Sequence, residues 1–138
     1  MLRLLKFKTR IPAFLFLLIS FSGFSDTATV VSITAVQKQI PVLAGIADNF
    51  VLEIGIEIKG NPTSATLNGI ILNISGTDIQ NDIDEIAVFS RQPSNGAEKL
   101  IPFGKPGKPQ REMTFQSETQ LAGGINRLAV SVRLNRNA

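Results

Sequence analysis

The sequence predicts an all-β fold, an antiparallel β-sandwich of jelly-roll or immunoglobulin-like type. Three observations carry this. Phe50 to Ile58 alternates strictly, with Phe50, Leu52, Ile54, Ile56 and Ile58 on one side and Glu53 and Glu57 on the other. Period two over nine residues marks a strand with one buried face. Arg127 to Leu134 repeats the pattern, with Leu128, Val130, Val132 and Leu134 inward and Arg127, Ser131 and Arg133 outward. Finally, no stretch keeps an apolar helical period over three turns. Short strands parted by turns favour two packed antiparallel sheets.

The first residues have a different character. Arg3, Lys6, Lys8 and Arg10 form a basic start, and Ile11 to Phe24 an apolar run. Gly23 and Ser25 place small residues at −3 and −1 before Asp26. That order is that of a secretory signal peptide. The apolar run is roughly 14 residues, short of the roughly 20 that span a bilayer, and Pro12 sits near its start. Residues 1–25 are therefore expected to be a signal peptide and residues 26–138 the mature domain. Export to the periplasm, cell surface or medium follows, with a membrane touched only through the signal peptide.

The strands follow in order. Thr27 to Val36 is rich in β-branched residues, Phe50 to Ile58 is the strongest strand, and Leu67 to Ile74 puts Ile70, Leu72 and Ile74 on one face. Glu85 to Arg91 sets Ile86 and Val88 opposite Ala87 and Phe89, and Met113 to Gln116 forms a short strand around Phe115. Leu128 to Leu134 is the last. Gly60-Asn61-Pro62, Ser75-Gly76-Thr77-Asp78 and Gly123-Gly124 supply turns. Gln92 to Gln110 holds Pro93, Pro102, Pro106 and Pro109 among glycines. Proline cannot donate to a ladder, so this segment reads as a long irregular loop. It is either a ligand-contacting loop or a plain exposed connection.

Composition removes several functions. Cysteine, histidine, tyrosine and tryptophan are all absent. Thiol catalysis, cysteine-bound metals and a Ser-His-Asp triad are excluded. No disulfide supports the fold, which must rest on its apolar core or on neighbouring domains. Of 14 basic residues, four lie in the signal peptide, so ten remain against 11 acidic ones. The mature domain is near neutral. It has no clustered basic face of the kind nucleic acid requires.

Candidate sites are few. Asp78, Asp82, Asp84 and Glu85 could offer oxygen ligands to calcium, but the helix-loop-helix spacing, its glycine and its closing glutamate are missing. Acidic turn residues between strands explain them better. Gly104-Lys105-Pro106-Gly107-Lys108 lacks the spacing and the following Ser or Thr of a phosphate loop. Asn73-Ile74-Ser75 fits the N-glycosylation pattern by coincidence at a strand end. Glu53 and Glu57 form the one candidate carboxylate pair, about 13 Å apart along one strand face. Nothing near them marks a pocket that would tune one as an acid. No metal or cofactor is expected.

Four segments together resemble a known family. They are Gln39-Ile40-Pro41-Val42-Leu43-Ala44-Gly45; Leu52-Glu53-Ile54 through Lys59-Gly60-Asn61; Leu67-Asn68 to Gly76-Thr77 with Asp82-Ile83 and Val88-Phe89; and Leu121 to Asn126 with Leu128 to Leu134. This order is similar to that of the N-terminal accessory domain of bacterial BNR-repeat (Asp-box) sialidases, over about Val30 to Ala138. The resemblance implies a β-sandwich with further strands beyond, so that the sheet here lacks its final strand. It implies an exported, non-catalytic module that binds or positions glycans for a sialidase propeller. The alternative is a structural domain that packs on a propeller or surface protein without touching sugar. Sialidases of this kind use a tyrosine nucleophile and an arginine triad in a propeller of Asp-boxes; this chain has no tyrosine and no Asp-box. Where family members often carry aromatic residues after the Gly-x-Asn turn, Arg127 to Val130 stand here. Without Trp or Tyr, sugar contacts fall to polar loop groups, namely Asn95, Lys105 and Gln110, and binding is expected to be weak.

Overall fold

The computed structural model describes residues 27–39, 41–61, 65–75 and 80–136. The expected signal peptide and Asp78 lie outside them. Among the described residues seven strands form: β1 (Thr29–Gln37), β2 (Asn49–Lys59), β3 (Thr66–Asn73), β4 (Ile83–Ser94), β5 (Ala97–Pro102), β6 (Glu112–Gln120) and β7 (Gly124–Leu134). Five make one sheet in the order β1-β2-β7-β4-β5, and β3 and β6 make a second. Every pairing is antiparallel. The described residues contain no α-helix; a single 3-10 turn, Gln80–Asp82, precedes β4.

The alternation read from the sequence becomes the core. Ile56 and Ile58 of β2, Ile86 and Val88 of β4, and Leu128, Val130 and Val132 of β7 meet Met113 and Phe115 of β6. Leu67, Ile70 and Leu72 of β3 pack against them. A fully buried side chain of this kind stabilises by about 1.5–3 kcal/mol relative to exposure. Phe103, 0% exposed, comes from the segment after β5. Its N–H donates to the Val88 carbonyl at 2.7 Å, and Gly107 exchanges two bonds with Ile86 at 2.8 and 3.0 Å. Gly104 turns this segment at φ 76°, and a Cβ there would stand 3.0 Å from the Gln116 carbonyl oxygen. A side chain could not be accommodated at that approach.

Two expectations need correction. Phe50 does not join the core. The β2–β7 register shifts between Phe50 and Leu52, so Phe50 opposes Ser131 on the outer face. A bulge inserts one residue and moves what precedes it to the other side. The segment from Gln92 is not one long loop. β4 runs on to Ser94 and β5 returns from Ala97. The link is Asn95-Gly96, both at positive φ (44° and 82°), as in a type I′ hairpin turn. Counting from the bonded pair Ser94–Ala97, Pro93–Glu98 and Phe89–Pro102 fall on non-bonded positions, where a missing N–H leaves no gap. β7 lies in the middle of the five-stranded sheet, paired on both sides. The open edges belong to β1, β5 and both strands of the small sheet.

A polar cleft at one end of the sandwich

The inward face does not stay apolar along its length. On β4, Ile86 and Val88 are followed on the same face by Ser90 and Gln92. On β6, Met113 and Phe115 are followed by Ser117 and Thr119. On β7, Leu128 is preceded by Asn126. Antiparallel pairing brings these three polar ends together, and a cleft of about 410 Å³ opens there. Ser90, Gln92, Thr119 and Asn126 line it, with hydrocarbon from Leu67 and Pro93.

Several of these groups are scaffold. The Asn126 Oδ1 accepts the Ala122 N–H at 2.8 Å, and its Nδ2 donates to the Ala122 carbonyl at 2.8 Å. The same amide donates to the carbonyls of Ile56 at 3.3 Å and Gly124 at 3.4 Å. The Gly-x-Asn motif is thus a staple that holds the Gly123-Gly124 turn. Gln120 Nε2 donates to the Ala65 carbonyl at 3.0 Å, and the Ser117 and Thr119 hydroxyls share a bond of 3.4 Å. Ser90 differs. It is only 8% exposed, and its hydroxyl bonds to no described residue.

The cleft holds little net charge. Arg91 and Arg127 are also among its lining residues, and each has an acidic neighbour on the outer face. Arg91 Nη1 donates to Glu98 Oε2 at 2.6 Å, and its guanidinium lies 5.3 Å from the Phe50 ring centroid. Arg127 Nε stands 3.9 Å from Glu53 Oε1.

The far end is different in kind. A groove of about 610 Å³ is lined by Val42, Val51, Leu72, Ile74, Ile83 and Val132. Asn49, buried beside it, staples the preceding loop. Its Oδ1 accepts the Leu43 N–H at 3.1 Å, and its Nδ2 donates to the Leu43, Ile46 and Val132 carbonyls.

The residues singled out from sequence are scattered. Asn95 sits exposed at the tip of the β4–β5 hairpin, at the polar end. Lys105 follows the Gly104 turn beside the middle of β6. Gln110 lies next to Arg111, whose carbonyl accepts from Ile74 at the apolar end. All three are exposed, and no hydrogen bond or ion pair joins any two of them. Glu53 and Glu57 stay on the outer face of β2. Glu53 lies 3.7 Å from Lys38, and Glu57 accepts the Ser32 hydroxyl at 3.1 Å. Neither reaches a cleft. Glu85 pairs with Arg133 at 3.2 Å, and no group of three acidic residues among the described ones is placed to hold a metal. Sequence reasoning missed Ser90, Gln92 and Thr119. The signal was there, since alternation runs on past the last apolar residue with polar ones in the inward slots.

The family model for the N-terminal domain of BNR-repeat neuraminidase matches residues 30–103, more than half of the chain. The match takes in β1 to β5 and the buried Phe103. The stretch Leu121 to Leu134, which carries the Asn126 staple and β7, lies beyond it. No curated protein matches the chain.

Proposed function

Because this chain belongs to the family of N-terminal domains of BNR-repeat neuraminidases, we propose that it is an exported, non-catalytic accessory domain that holds glycans for a linked sialidase propeller. The observation that carries the glycan part is the polar cleft, where Ser90, Gln92 and Thr119 replace the core residues of their strands. Hydroxyls and amides fixed on rigid strands over patches of hydrocarbon are the chemistry that meets a sugar. Asn95 stands on the rim of that end, whereas Lys105 and Gln110 lie farther along the molecule. Export rests on the order of basic, apolar and small residues before Asp26.

A glycan array probed with the purified chain tests binding. Retention of carbohydrate by a folded sample supports the reading, and none at any density contradicts it. The purified chain should turn over no fluorogenic sialoside above a boiled control. N-terminal sequencing of exported material should begin at or beside Asp26; intact Met1 would remove export.

The second reading, a domain that packs on the propeller without touching sugar, draws on the apolar groove at the opposite end. Hydrocarbon open to water at Val42, Ile74 and Ile83 suits a protein surface better than a saccharide.

A further inference from the structure

We propose that the cleft between the ends of β4, β6 and β7 binds an uncharged hexopyranose unit of the glycan, not its acidic sugar; this rests on the glycan-binding reading. Ser90 is the leading contact. Its hydroxyl lies in a site only 8% exposed and meets no described partner. Among the described residues Arg91 Nε is the one fully buried polar side-chain atom without a partner, so the Ser90 hydroxyl still reaches the solvent of the cleft, and a sugar hydroxyl there would take the place of water. Gln92, two residues on along the same face, is exposed at the mouth and carries both donor and acceptor. A pyranose hydroxyl can accept from one and donate to the other. Leu67 and Pro93 give apolar surface against which the C–H face of a ring can lie.

The choice of a neutral sugar follows from where the charges are. An acidic sugar is held most strongly where a cation stands beside its carboxylate. Arg91 is held on the outer face by Glu98 and the Phe50 ring, Arg127 lies 3.9 Å from Glu53 on that face, and Lys99, opposite Gln92 in the β4–β5 register, is not among the residues that line the cleft. The polar side chains lining the inner wall are otherwise hydroxyls and amides. With no tryptophan or tyrosine in the chain, no large ring is available for stacking, and affinity should be about millimolar.

The test is a titration of the purified, isotope-labelled chain, followed by backbone amide shifts. Two probes are used separately, methyl β-galactopyranoside and the methyl glycoside of N-acetylneuraminic acid. The expected result is saturable shifts with the neutral probe at Ser90, Gln92 and Thr119, at least fivefold weaker in Gln92→Ala. Ser90→Ala should weaken binding to a similar or greater extent. Gln92 is exposed, so its variant should fold even if a change at Ser90 does not. Lys105→Ala should leave affinity within twofold. Preference for the acidic probe, or shifts centred on Lys105 and Gln110 and lost with Lys105→Ala, would overturn the cleft assignment while sparing the glycan-binding reading. No shift with either probe, together with no binding on the array, would remove both.

Discussion

Phe50 and Phe89 meet edge to face above β7, their ring centroids 5.9 Å apart and their planes at 76°. Register puts small residues of the central strand beneath them. Phe50 opposes Ser131 and Phe89 opposes Ala129. Both small residues are buried, Ser131 at 2% exposure. The outer face of the large sheet therefore carries an apolar cluster of its own, closed by Arg91. The Arg91 side chain, 18% exposed, spans from Glu98 to the Phe50 ring, and its Nε is buried without a partner.

Removing either ring should cost about 1.5–3 kcal/mol, less than a fully buried phenylalanine because both are partly exposed. The double variant Phe50→Ala/Phe89→Ala should fall short of the sum by about 0.5–1.5 kcal/mol, the coupling expected of an aromatic pair. Urea unfolding of the four proteins measures this. Strict additivity would mean that the rings do not support one another.

Position 131 separates the face a residue is on from whether that face is wet. Alternation puts Ser131 outward, where a charge should be harmless. The covered outer face changes that expectation. Ser131→Asp should cost more than about 3 kcal/mol, as Val130→Asp should on the inner face, since each buries an unpaired charge. Glu53→Gln should cost under about 1 kcal/mol, because its ion pairs are long and solvent-exposed. Equal, small effects at Ser131 and Glu53 would contradict the aromatic cover.

The Asn95-Gly96 turn makes its own prediction. Gly96→Ala should destabilise by about 1 kcal/mol or more, because an L side chain resists φ 82°. Asn95→Gly should be near neutral, and Asn95→Val clearly worse. Thermal unfolding distinguishes the three. A stability loss for Asn95→Gly equal to that of Asn95→Val would argue against the turn.

β1 should govern association. It is an edge strand of nine residues with no charge and no proline, and Ile33 is 68% exposed. The opposite edge, β5, carries Glu98, Lys99 and Pro102. Unguarded edges invite pairing with another chain. Ile33→Lys should reduce concentration-dependent association in sedimentation experiments while changing stability by less than about 0.5 kcal/mol. Unchanged association would move the contact to the small sheet.

Much of the fold is legible in the sequence, for a physical reason. Leu52 to Ile58 and Leu128 to Leu134 alternate because each strand has one wet and one dry face, and the core forms where alternation says. Bulges are not legible. The insertion at Val51 moves Phe50 across the sheet, yet nothing in the local pattern marks it. The hairpin from Gln92 to Pro102 was readable, since Asn-Gly between extended segments is a strong turn signal. The prolines around it masked that, although they sit on non-bonded positions. The polar cleft depends on three strand ends that meet only in the folded sheet. Asn95, Lys105 and Gln110 share a segment of sequence, and the fold spreads them from one end of the sandwich to the other.

The central claim, a glycan-binding accessory domain whose cleft takes the neutral sugar, is tested most directly by saturation-transfer NMR. The purified monomeric chain is irradiated in the presence of a sialylated lactose trisaccharide. The account predicts transfer concentrated on the protons of the two uncharged hexoses, and sharply reduced with Gln92→Ala. Transfer confined to the acidic sugar, or none at all from a folded sample, would contradict it.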